Sequence, residues 1–172
     1  MPSNRLLIRT KTAVTSILLC FLTALIVALA PAPAQAEAGK QVEIQGVTYT
    51  YTSFEGSPKV NVTGIYSDQK THVEVPETIE GLTVRKVELS GDTGMITSLD
   101  FTQCSGLHTL ICHNNALTSL DLSGCENLTN LDCADSKLNN LQVSGCGLLS
   151  MIDCSGNDLT ALDLLNCTQL TK

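Results

Sequence analysis

Tryptophan is absent from this chain, and phenylalanine, tyrosine and tryptophan together make up only 3% of it. Beyond the first 36 residues the aromatics are Tyr49, Tyr51, Phe54, Tyr66 and Phe101, with none after Phe101. That removes the usual stacking platforms for sugars and bases, and the aromatic anchors on which many protein contacts depend. Basic residues are also scarce. Three of the ten Lys and Arg residues precede Ala36, leaving seven against 17 acids and a net charge of −10. Such a surface repels phosphate backbones and anionic headgroups, which excludes nucleic acid and peripheral membrane binding as expected roles. The three histidines, His72, His108 and His113, have no nucleophile in a recognisable motif. There is no H-E-x-x-H, no G-x-S-x-G and no phosphate-cradling glycine loop, so nothing supports an enzyme.

The one long apolar run, Ala13 to Ala30, follows the basic residues Arg5, Arg9 and Lys11 and precedes Ala34-Gln35-Ala36. This is the layout of a secretory signal over residues 1–36, with cleavage after Ala36 and an exported product. An uncleaved anchor is the alternative, since the run approaches the length of a bilayer span. Cys20 lies mid-run behind two leucines and makes a poor lipoprotein site.

What remains is organised by a repeat. L117TSLDLSGCENLTNLDCADSK137 is one unit, and equivalent positions at Ile96, Leu117, Leu138 and Leu159 are 21 residues apart. A fixed period of this length predicts a solenoid in which each unit covers the apolar face of the next. In one half of the unit, Leu110 and Cys112 turn inward on a short parallel strand while Ile111 points out. The other half, Leu117-x-x-Leu120-x-Leu122-x-x-Cys125-x-x-Leu128, has nearly the same spacing. So short a unit leaves little room for a helix. Asn115 and Asn157 are placed to satisfy main-chain groups left open at the bend, with Ser136 a weaker equivalent.

From Lys40 to about Val75 the pattern changes to period two. Val47, Tyr49 and Tyr51, then Val60, Val62 and Ile65 beyond Gly56-Ser57-Pro58, predict antiparallel strands, with a further short strand at Val73 and Val75. A solenoid's first coil needs a cover, so residues 37–83 are expected to be an N-terminal β cap and 84–172 the repeats. Val84, Val87 and Leu89, with Asp92, give a first irregular coil. The fold class expected is mostly β: a solenoid of about four short coils behind an antiparallel cap.

The pattern L-x-x-L-x-C-x-x-N-x-L followed by L-D-L-x-x-C resembles the short nested class of bacterial leucine-rich repeats, the IRREKO type. The lead-in V75PETIEGLTVRKV87, after G46VTYTYT52 and K59VNVTGIY66, resembles the N-terminal portion of BspA-like bacterial surface proteins. The resemblance implies a cell-surface or secreted interaction protein without cofactor.

The cysteines form two columns, Cys104, Cys125, Cys146 and Cys167, and Cys112, Cys133 and Cys154. Seven is an odd number, and each occupies a repeat position where a small apolar side chain packs between leucines, so free core thiols are expected. Cys104, His108, Cys112 and His113 have a zinc-like spacing, but the columns account for both cysteines. Asp100, Asp121, Gln142 and Asp163 form an outward row that offers too few converging oxygens for calcium and reads as solvated surface.

Outward residues of the main strand face form rows: Ile111, Asp132 and Asp153, flanked by Thr109, Asn130 and Met151 and by His113, Ala134 and Ser155. Thr109, Ile111, His113, Asn130, Asp132, Met151 and Asp153 are the candidate binding face for an unknown protein ligand, because stacked outward residues make one continuous surface. The alternative is a passive spacer within a longer surface protein. Leu159, Leu162, Leu164, Cys167 and Leu170 fill only part of a unit before Lys172. A missing continuation is the expectation, with end-to-end self-association through that coil as the alternative.

Overall fold

The computed structural model describes residues 36–89 and 93–171. The expected signal segment lies outside them except for Ala36, and so does Asp92. Among the described residues there are twelve strands and no helix.

The first three strands are β1 (Ala36–Ile44), β2 (Val47–Phe54) and β3 (Lys59–Tyr66), paired antiparallel in that order. Gln45 and Gly46 join β1 to β2 with φ of 52° and 77°. Two consecutive residues at positive φ make the tight hairpin turn whose twist matches its strands. Alternation then buries Val47, Tyr49 and Tyr51 on one face. Tyr51 donates its hydroxyl to Glu80 Oε2 at 2.5 Å, so the buried ring keeps a polar partner.

The coils follow. The remaining strands are β4 (His72–Glu74), β5 (Thr78–Ile79), β6 (Leu82–Glu88), β7 (Ser98–Asp100), β8 (Thr109–Ile111), β9 (Ser119–Asp121), β10 (Asn130–Asp132), β11 (Asn140–Gln142) and β12 (Met151–Asp153). All but β5, which pairs antiparallel with β6, stack into two parallel ladders. The first runs β3-β6-β8-β10-β12 and is continuous with the antiparallel strands, while the second runs β4-β7-β9-β11. Each coil before the one of β12 contributes one strand to each ladder, and from β7 and β8 onward the register advances by one repeat at every step. The sequence expectation of a β-solenoid with antiparallel strands at its start is therefore met.

One strand departs from expectation. Val73 and Val75 do not extend the antiparallel set. β4 pairs parallel with β7, aligning Val73 with Leu99, and so begins the second ladder. Val73 and Val75 also fit an inward column of the later coils, and so short a strand carries no mark of its partner's direction.

The core consists of columns. Leu99, Leu120 and Leu141 align in the second ladder, Leu110 and Leu131 in the first, and all are buried. Burying such a side chain contributes roughly 1.5–3 kcal/mol, and among the described residues, which form no helix, this stacking is the main apolar gain.

Two kinds of corner close each coil. At the first, which we call the thiol corner, two successive turns pivot about a cysteine. Cys125 N–H bonds to Leu122 O at 2.9 Å and Leu128 N–H to Cys125 O at 3.0 Å, and the pattern recurs around Cys104, Cys146 and Cys167. Each of these thiols also reaches back to a carbonyl of the preceding coil: Cys104 to Val75, Cys125 to Phe101, Cys146 to Leu122 and Cys167 to Val143, at 3.3–3.6 Å. Gly124 and Gly145 sit beside these pivots. A Cβ on Gly124 would lie 1.8 Å from Thr102 O, and one on Gly145 1.7 Å from Ser123 O. Only glycine lets the coils approach so closely.

At the second, the amide corner, side chains replace main-chain turns. Asn157 Nδ2 donates to Cys133 O, Cys154 O and Ser155 O at 2.8, 2.9 and 3.2 Å, and its Oδ1 accepts Leu138 N–H at 3.0 Å. Asn115 donates to Cys112 O and His113 O, and Ser136 reaches Cys112 O at 3.3 Å. Asn114 and Asp135 adopt φ of 56° and 50° here, a conformation that Asn and Asp tolerate better than most residues.

Candidate interaction face

The outward rows lie on β8, β10 and β12. Asn130 is aligned with both Thr109 and Met151, and Asp132 with both Ile111 and Asp153. Six of the seven sequence-chosen residues, Thr109, Ile111, Asn130, Asp132, Met151 and Asp153, line one open depression of about 360 Å³. His113 does not line it. It lies beyond the end of β8, exposed, with Nδ1 2.8 Å from Asn114 Nδ2. Ala134 and Ser155 likewise fall past their strands, and Ala134 is buried.

The rows also extend one strand further than the repeat indicates. β6 places Lys86 beside Thr109 and Glu88 beside Ile111. Lys86 Nζ and Glu88 Oε2 are 2.6 Å apart, so this end of the face carries a neutralised pair. The acids of the next coils, Asp132 and Asp153, stand without such a cation in the aligned position, which holds Asn130 and Met151. The periodic signal for β6 is the inward pair Val84 and Val87, which align with Val60 and Val62 on either side of a bulge.

The carboxylates have local partners as well. Asp153 Oδ1 accepts the Ser155 hydroxyl at 2.6 Å and its N–H at 3.0 Å, which lowers its pKa. Asp132 accepts Ala134 N–H. In the second ladder, Asp100 and Asp121 each cap an N–H two residues on, and Asp163 does the same beyond it. The sequence reads this row as plain solvated surface, yet each of these acids accepts a main-chain N–H two residues on. One oxygen is thereby occupied, while the charge still faces outward.

All seven cysteines among the described residues are free thiols. Burial pushes the Cys104, Cys133 and Cys146 thiols up to about 12, with neighbouring acids or thiols adding to the effect. They are poor nucleophiles and poor metal ligands near neutrality. Cys104, His108, Cys112 and His113 do not converge: the Cys104 thiol is bonded to Val75 O, and His108 Nδ1 lies 2.8 Å from Gly106 O. Among the described residues, no three His, Cys, Asp or Glu side chains are grouped to hold a metal ion. No protein-family model, curated protein or solved structure matches the chain.

Proposed function

We propose that the chain is an exported or cell-surface protein of leucine-rich-repeat type, with a BspA-like N-terminal cap, that mediates protein recognition or adhesion and performs no catalysis. The observation that carries this reading is the alignment of Asp132 with Asp153 beside Ile111 and Met151, lining one depression on a rigid ladder. Outward acids flanked by aliphatic side chains suit a basic protein segment, whose Lys or Arg stems can lie along Ile111 and Met151.

Beads coated with the full chain should capture a lysine-rich peptide. Reversing Asp132→Lys and Asp153→Lys together should weaken capture roughly tenfold or more, while reversing Asp100 and Asp121 on the other ladder should not. Unchanged affinity after the first pair excludes this face; equal loss from both pairs assigns capture to bulk charge.

A second reading is a passive spacer within a longer surface protein. The turn bonds made by Asp100, Asp121, Asp132, Asp153 and Asp163 favour it, since acids in both ladders serve the fold. Sequencing the gene past the codon for Lys172 tests it. A catalytic or anchoring domain there supports the spacer; binding that survives in the isolated coils argues against it.

A further inference from the structure

The two ladders end differently at the N-terminal side. The first continues from β6 into β3, β2 and β1, whereas the second stops at β4, which pairs with β7 and, among the described residues, with no other strand. The main-chain directions along β4 follow from its bonds. Thr71 O accepts Ser98 N–H, and Val75 N–H donates to Asp100 O, so residues 71, 73 and 75 face β7. Strand alternation then turns the N–H and C=O of His72 and Glu74 towards the open edge. That edge borders a depression of about 450 Å³. Ile44, Val47 and Tyr49 of the hairpin form one wall and Val73, Val75 and Pro76 another.

We propose that the β4 edge is a strand-addition site, which binds an extended polypeptide segment of a partner protein with an aliphatic side chain aligned with Val73. The occupant follows from continuity of the ladder. At every other strand of the second ladder, the position before it is filled by a tripeptide with a central aliphatic residue: His72-Val73-Glu74 precedes β7, Ser98-Leu99-Asp100 precedes β9 and Ser119-Leu120-Asp121 precedes β11. At β4 the same position is bounded by the apolar residues Ile44, Val47 and Val75 together with the polar Gln45, Lys70 and Gln103, and only a main chain repeats donors and acceptors at the strand spacing. A small molecule or a sugar does not reproduce that repeat. Short length and the charges of Lys70 and Glu74 keep the edge from pairing indiscriminately. This site is on the opposite ladder from the acidic strand face, so either can fail alone.

The probe is a synthetic peptide of the protein's own Ile96–Gln103 sequence, added to the full chain. Hydrogen exchange at His72 and Glu74 should be fast in the free protein and slowed roughly tenfold or more by saturating peptide. In the added strand, Leu99 N–H would face β4 and Asp100 N–H would face away. N-methylation at Leu99 should therefore abolish the effect, and N-methylation at Asp100 should leave it. Glu74→Pro removes an outward N–H at an edge position where proline is tolerated, and should weaken peptide binding several-fold without changing the circular dichroism. Slow exchange at both amides before peptide is added overturns the proposal, because the edge is then already covered. So does peptide that leaves exchange unchanged, or equal tolerance of methylation at both positions. Should Glu74→Pro unfold, the two methylated peptides still decide the matter.

Discussion

The thiol corner and the amide corner face the same problem and solve it with different groups. Each must reverse the chain within a few residues and leave no buried carbonyl or N–H unpaired. The thiol corner uses main-chain turns around a cysteine, a thiol as a weak extra donor, and glycines that let the coils touch. The amide corner uses one asparagine side chain to bond three carbonyls at once. The first tolerates no added bulk; the second tolerates no lost polarity. The cysteine columns differ accordingly. Those of the thiol corner pack and donate to the coil before, while among the described residues the Cys112 and Cys133 thiols bond no carbonyl of another coil.

The largest expected effect strikes both corners together. Buried thiols are held protonated in the folded state, whereas unfolded thiols ionise near pH ~8.5. The folded values are raised, so the associated stability is complete below that pH and is lost as pH rises towards the folded values of about 12 at Cys104, Cys133 and Cys146. Each affected thiol costs about 1.4 kcal/mol per pH unit, so the chain should unfold between pH ~9 and ~11. A urea midpoint that stays constant through this range contradicts the buried columns.

Next is Gly124→Ala, whose methyl meets a carbonyl with nowhere to move. We expect a loss of about 3 kcal/mol, at the upper end for overpacking. Chemical denaturation showing a loss no larger than at exposed Gly39 would mean that the corner can open. Asn157→Ala should cost about 2 kcal/mol, because it strands three carbonyls and the Leu138 N–H at a partly buried bend. Ser136→Ala, which removes fewer and longer bonds, should cost about half as much.

The cysteine columns can be separated directly. Cys125→Ala loses packing and a donor, and should cost about 2 kcal/mol; Cys133→Ala loses packing alone, and should cost about 1 kcal/mol. Equal losses in thermal melts would reduce the thiol bond to a geometric coincidence. The smallest effect is expected at Asp121→Asn, under ~0.5 kcal/mol, since the amide oxygen can still accept Ser123 N–H. A larger loss would show that the charge itself supports the turn.

Periodicity made the solenoid, the inward columns and most of the outward face legible before any coordinates. Leu110, Cys112 and Asn115 announce their roles because the same environment recurs one period later. Legibility fails where the repetition does. β4 and β6 belong to coils of irregular length, so the parallel pairing of Val73 and the extension of the face by Lys86 and Glu88 depend on tertiary context. His113 was grouped with the face by counting along the strand, but the strand ends at Ile111 and the chain turns away. The thiol bonds were invisible for another reason. A column of cysteines looks like a column of small apolar residues until the carbonyl opposite each sulfur is located.

Those thiols belong to a wider bias in direction. Cys125 donates to Phe101, Thr118 to Thr97, Thr129 to His108, Ser150 to Thr129, Asn157 to Cys133 and Thr171 to Ser150, always onto a carbonyl of the coil before. A newly added coil thus brings its own donors to acceptors that are already in place. The main-chain bonds run both ways, since the N–H groups of Phe101, Cys112, Leu122 and Cys133 donate to carbonyls of the coil after. The side-chain bonds suit folding in the order in which a ribosome delivers the chain, each coil templating the side-chain donors of the next.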